Sequence, residues 1–104
     1  MSLAMIAGHE VHVDDEGFMT EYEEWTDELA KQLAANIDID LSDQHWKAIR
    51  FLRDDFEDQG ETATLRRVST VGGISTKDLF TLFPKKPAKK MAYIAGLPKP
   101  AGCV

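Results

Sequence analysis

The sequence holds one cysteine in 104 residues, Cys103, which excludes an internal disulfide. A reducing compartment, the cytoplasm, is the expected setting, because an unpaired thiol near a chain end is a liability in an oxidising one. No apolar run approaches the ~20 residues that span a bilayer, and no signal-peptide pattern opens the chain, so no membrane contact is expected. Histidine is scarce too. His9 and His12 are three apart in a strand-like stretch, where alternation puts them on opposite faces, and His45 lies far along the chain. Neither a metal site nor a bound cofactor is expected. Carboxylate side chains stop at Asp78: residues 85–104 carry five lysines and no acid, while residues 1–84 hold seven basic and eighteen acidic groups, a balance of −11. The lysines (Lys85, Lys86, Lys89, Lys90, Lys99) therefore precede the only thiol. Such a segment is a solvated helix face, a support for the thiol, or a docking site for an anionic partner.

What remains is enough for one small folded domain. Hydrophobic residues make up 43% of the chain and charged ones 29%, a balance that argues against disorder. Residues 4–13 alternate around Gly8-His9 and read as a short β-hairpin, followed by an Asp14-Asp15-Glu16-Gly17 turn. Thr26 stands as N-cap to a first helix with Leu29, Leu33 and Ile37 on one face. Ser42 caps a second, where Leu41 and Trp46 occupy hydrophobic-staple positions and Trp46, Ile49, Leu52 and Phe56 form the apolar stripe up to Gln59-Gly60. A third short helix is expected over 62–69, closed by Gly72-Gly73. A fourth begins at Ser75 or Thr76 and stops at Pro84, and a fifth opens with Pro87 at its first position and ends at Gly96. The expected fold is mainly α: an orthogonal bundle of about five helices with an N-terminal hairpin, a helix-turn-helix-like core and an extended C-terminal arm. The divisions are 4–25 for hairpin and turn, 26–95 for the helical body and 96–104 for a mobile arm carrying Cys103. The expected core is Trp25, Leu29, Leu33, Trp46, Ile49, Leu52, Phe56, Leu79, Phe80 and Phe83.

The arm draws the chemistry. Gly96, Pro98, Pro100 and Gly102 cannot form helix and lend it flexibility, and seven residues from Gly96 to Cys103 reach roughly 25 Å at about 3.3–3.6 Å per residue. A thiol on such a tether suits a group that visits another protein's active site. The reactive species is the thiolate, and the terminal carboxylate of Val104 disfavours it, so a cation must come close. Lys99 on the arm and Arg50, Arg66 and Arg67 on the body are the candidates. Leu65-Arg66-Arg67-Val68 after a glycine-containing turn also fits a helix-turn-helix. The preceding helix carries Asp54, Asp55, Glu57 and Asp58, which would face phosphates badly, so direct nucleic-acid binding is not expected.

The motif Leu82-Phe83-Pro84-Lys85-Lys86-Pro87-Ala88-Lys89-Lys90, then Ile94-Ala95-Gly96-Leu97-Pro98-Lys99-Pro100 and the penultimate Cys103, resembles the DsrC/TusE sulfur-relay family, also called the gamma-subunit family of dissimilatory sulfite reductase. Gly17, Trp25, Leu41-Ser42-x-x-His45-Trp46 and Arg50-Phe51-x-Arg53 extend the likeness through the N-terminal half. The resemblance implies a carrier, more than a self-contained enzyme, whose Cys103 accepts sulfur as a persulfide and passes it on. Family members with two arm cysteines, eleven residues apart, form an intramolecular disulfide and work with dissimilatory sulfite reductase. Here Ala92 occupies the upstream position, the single-cysteine pattern of the TusE-like branch, which serves 2-thiouridine formation in tRNA. Implied partners are sulfur-donor and sulfur-acceptor proteins: a TusBCD-like donor complex, a tRNA thiolase, or sulfite reductase. Alternatives are a DsrC-like partner of sulfite reductase or a noncatalytic regulatory or DNA-binding protein. Lys86 stands where the family's Phe-Pro-x-Gly-Pro has glycine.

Overall fold

The computed structural model describes residues 2–100, so the expectations for Gly102 and Cys103 fall outside the described residues. Strands β1 (Ser2–Ile6) and β2 (His9–Val13) pair antiparallel with Ile6 opposite His9. Ala7 and Gly8, at φ 51° and 81°, form the two-residue turn whose twist matches the flanking strands. One face of the hairpin, Ile6, Val11 and Val13, packs with Met19 onto Leu29 and Leu33 of helix α1 (Asp27–Asn36). Between them the Asp14 carboxylate accepts the Glu16 and Phe18 N–H groups at 2.9 and 3.0 Å, closing the turn that Gly17 completes.

Helices α2 (Asp43–Gln59), α3 (Leu65–Thr70), α4 (Thr76–Leu82) and α5 (Pro87–Ala95) complete the bundle, and a single 3-10 turn spans Tyr22–Glu24. This is the mainly α fold with five helices and an N-terminal hairpin that the sequence implies. Thr26, Thr64 and Ser75 each accept an N–H from the first turn of the helix they precede. The third helix starts later than expected because Thr62 and Ala63 are buried in extended chain, leaving Thr64 as cap. Helix α5 lies across α1 and α2 as a spine, with Met91, Ala92, Ile94 and Ala95 fully buried. Among the described residues no helix is long and apolar enough to cross a membrane.

The expected core needs two corrections. Phe80 is 44% exposed, because α4 is two turns long and Leu79 and Phe83, four apart, take its inward face. Trp25, Trp46 and Phe56 are half-buried at the core's edge, and the interior instead takes most of α5.

His45 ties the start of α2 to the end of α4. Its Nδ1 accepts the Ser42 N–H at 3.0 Å, so that nitrogen carries no proton and Nε2–H donates to the Leu82 carbonyl at 2.7 Å. The Phe83 ring meets the imidazole edge-on at 5.0 Å. His45→Ala would leave the half-buried Leu82 carbonyl and the Ser42 N–H without their imidazole partner. We expect a loss of about 2 kcal/mol in urea unfolding followed by circular dichroism. A change within about 0.5 kcal/mol would show that the imidazole holds nothing.

Candidate functional site

The last four carbonyls of a helix have no partner within it and must find one elsewhere. At the end of α5 each is taken. Gly96 turns left-handed at φ 70°, which brings the Leu97 N–H to Ala92 O at 3.0 Å and the Gly96 N–H to Tyr93 O at 3.3 Å. The Ile94 carbonyl accepts Trp25 Nε1–H, and the Ala95 carbonyl accepts Arg53 Nη1–H, both at 2.8 Å. Two side chains from distant parts of the chain thus fix where the arm departs.

Arg53 is itself held on all sides. Its guanidinium carbon lies 3.9 Å from the Tyr22 ring centroid and 4.1 Å from that of Trp25, and Nη2 donates to Tyr22 O at 2.9 Å. Burial pushes its pKa down from the ordinary guanidinium value, yet it remains a cation, since a guanidinium starts too basic to lose its proton, and both Nη atoms are hydrogen-bonded. The Tyr22 hydroxyl lies within hydrogen-bond distance of both Arg53 O and Glu57, at 3.1 and 2.9 Å; burial first, and the Glu57 carboxylate second, raise its pKa. Neither Arg53 nor Trp25 was among the candidate site residues. The signal for Arg53 is its position: four after Ile49 and three before Phe56, it lies on the apolar face of α2.

Beyond the cap the chain runs over the body. Leu97 is fully buried, Thr62 Oγ1 donates to Pro98 O at 2.8 Å, Lys99 Nζ is 3.2 Å from both Glu16 oxygens, and Pro100 is buried. Of the four residues expected to lend flexibility, Gly96 serves the helix cap, Pro98 is exposed and Pro100 lies against the body. From Pro100 the three residues to Cys103 span at most about 10 Å, against roughly 25 Å from Gly96.

The candidate cations are not gathered at one place. Arg50 forks onto Asp27 at 2.8 and 2.9 Å and lies 5.0 Å from the Trp46 ring centroid; the pairing lowers the Asp27 pKa and raises that of Arg50. Arg67 binds the buried Asp55 carboxylate through Nε and Nη2, at 2.7 to 3.0 Å, and lines a groove with Thr62 beside the arm. Arg66 is exposed and has no ion pair among the described residues. The pairing of Arg67 also leaves one free arginine in the helix-turn-helix-like segment. Ala92, at the family's second cysteine position, is fully buried and faces the core.

Comparison with known proteins places these features in one family. The family model described as "DsrC like protein" matches residues 5–104. The sulfurtransferase TusE of Escherichia coli K12 is 34% identical, over 98% of this chain and all of its own length. The solution structure of Allochromatium vinosum DsrC superposes with a TM-score of 0.80 at 32% identity, covering 98% of this chain and 97% of that one. The crystal structure of the oxidised gamma-subunit of dissimilatory sulfite reductase (DsrC) from Archaeoglobus fulgidus gives 0.76 at 36% identity, covering 99% and 100%.

The cap geometry is directly testable. A methyl group at Gly96 would overlap the Trp25 indole and sit at an unfavourable left-handed φ. Gly96→Ala should cost more than ~2 kcal/mol in urea unfolding and shift the tryptophan fluorescence. Trp25→Phe keeps the ring but orphans the Ile94 carbonyl, at a cost of about 1–3 kcal/mol. Wild-type stability in both variants would refute the cap as the anchor of the arm.

Proposed function

This chain belongs to the DsrC family, and on that premise we propose that it is a cytoplasmic sulfur carrier in which Cys103 receives persulfide sulfur and hands it to a second protein. The observation that carries the reading is the family ending itself, Ile94 to Pro100 followed by Cys103, launched from a helix end whose carbonyls are all tied down. The chemistry is a thiol exchange with no net oxidation. The Cys103 thiolate attacks the outer sulfur of a donor persulfide. The donor's S–S bond breaks, the donor leaves as a thiolate, and the outer sulfur is now bonded to Cys103. An acceptor thiolate removes it in the same way.

With Ala92 in place of a second thiol, the carrier has no internal route to a disulfide, which favours the TusE-like role toward 2-thiouridine in tRNA over the two-cysteine chemistry of sulfite reductase partners. Donor and acceptor are then proteins of a sulfur relay. Lys99 is the arm's cation; released from Glu16, it offsets the Val104 carboxylate and favours the thiolate.

Exposure to glutathione persulfide, followed by intact-protein mass spectrometry, should add one sulfur atom to the wild type and none to Cys103→Ser, with unfolding unchanged. Lys99→Glu should slow loading several-fold and Glu16→Gln should speed it, since the first removes the cation and the second frees it. Full loading of Cys103→Ser would sink the carrier reading. In cells, loss of the gene should lower tRNA 2-thiouridine; an unaltered level with impaired sulfite reduction would assign the carrier to the other pathway.

A further inference from the structure

The lysines of α5 frame a second surface. Phe18, Ile37 and Tyr93 floor a shallow groove of about 210 Å³ whose rim is Lys86, Lys89 and Lys90, and no carboxylate is among its lining residues. Its exposed floor is apolar. Phe18 and Tyr93 meet edge to face at 5.9 Å, and the Asn36 side-chain amide donates to the Tyr93 hydroxyl at 3.3 Å, so the floor is fixed in shape. Lys89 and Lys90 are half-buried and line the groove, as lysines do when they cover apolar surface with the alkyl stem and keep the ammonium group in water. Among the described residues none of these lysines is in an ion pair, on a chain whose net charge is −6.

We propose that this groove docks an acidic segment of a partner protein, which lays one apolar side chain on the Phe18, Ile37 and Tyr93 floor while its carboxylates meet Lys86, Lys89 and Lys90. Unpaired cations on an acidic body select an anion, because the rest of the surface repels it. The floor selects among anions. A nucleic-acid backbone would gain from the lysines but leave the apolar floor unfilled, whereas an aliphatic or aromatic side chain fills it and removes it from water. The position suits a relay. Lys90 and Gly96 are six residues apart on one helix, about 9 Å of rise, so a partner held here has its active site within reach of the arm. That purpose rests on the carrier reading, although the binding does not.

The test uses the full chain and a fluorescein-labelled peptide of six glutamates around a central Leu-Phe, titrated by anisotropy at low salt. Binding should weaken at least tenfold in Lys89→Glu/Lys90→Glu and at least fivefold when Leu-Phe becomes Ser-Ser. Amide shifts in NMR should centre on Phe18, Ile37 and Tyr93. Loading of the double variant by glutathione persulfide should match the wild type, which separates docking from transfer: lost loading in Cys103→Ser tests the carrier, lost peptide binding in the lysine variant tests the groove. Peptide binding that is absent, or indifferent to the lysine change, would overturn the proposal. So would equal binding of the Ser-Ser peptide, or tighter binding of a single-stranded oligouridine at the same site.

Discussion

The course of the arm from Gly96 to Pro100 hangs on how the C-terminal end of α5 is closed. A buried helix end with orphan carbonyls is costly, and this one is relieved by two turn N–H groups, one indole and one guanidinium. The two side-chain donors come from residues 25 and 53, so the end of the fifth helix is not fully closed until the segment before α1 and the middle of α2 are in place. The arm's point of departure is thereby a property of the whole fold. A helix that frayed at its last turn would release Leu97 and the start of the arm from the body.

The body divides its charges in a consistent way. Arg50, Arg53 and Arg67 are each spent on structure, held by Asp27, by carbonyls and rings, and by Asp55 respectively. The lysines of α5 are not. Arginine's planar fork suits fixed, multidentate bonds, and lysine's mobile ammonium suits contacts made and broken with a visitor. The same division runs through the helix-turn-helix-like segment: of its two adjacent arginines, Arg67 is locked against Asp55 of the preceding helix, and Arg66 has no ion pair among the described residues.

Much of this was legible in the sequence, and the failures have physical reasons. Hairpin, caps and helix ends followed from local signals: alternation around Gly8-His9, one residue past the observed Ala7-Gly8 turn, Thr26 and Ser42 before apolar stripes, Gly60 and Gly96 after them. The family ending marked Cys103 at once. The fifth helix as the core's spine was harder to see, since Ala88, Ala92 and Ala95 carry little hydrophobic bulk and bury through close approach. Phe80 misled for the opposite reason: bulk suggested the interior, while a two-turn helix had room for only one inward stripe. Arg53 was passed over as a site residue because a cation on an apolar face makes sense only once its carbonyl partners, Tyr22 and Ala95, thirty-one and forty-two residues away, are folded beside it. Pairwise tertiary contacts of that length leave no local trace.

The closed end of α5 has an electrostatic consequence for the cargo. A helix C-terminus carries roughly half a negative charge, and a persulfide anion placed there would be repelled. Here the guanidinium of Arg53 sits on that pole, and the effect of the pole fades within the last turn in any case. The pole that would oppose a thiolate is thus neutralised at its source, wherever the arm carries the cysteine. In the carrier reading proposed above, ionisation at Cys103 is then left to Lys99 on the arm and to the surface of the protein that receives the sulfur.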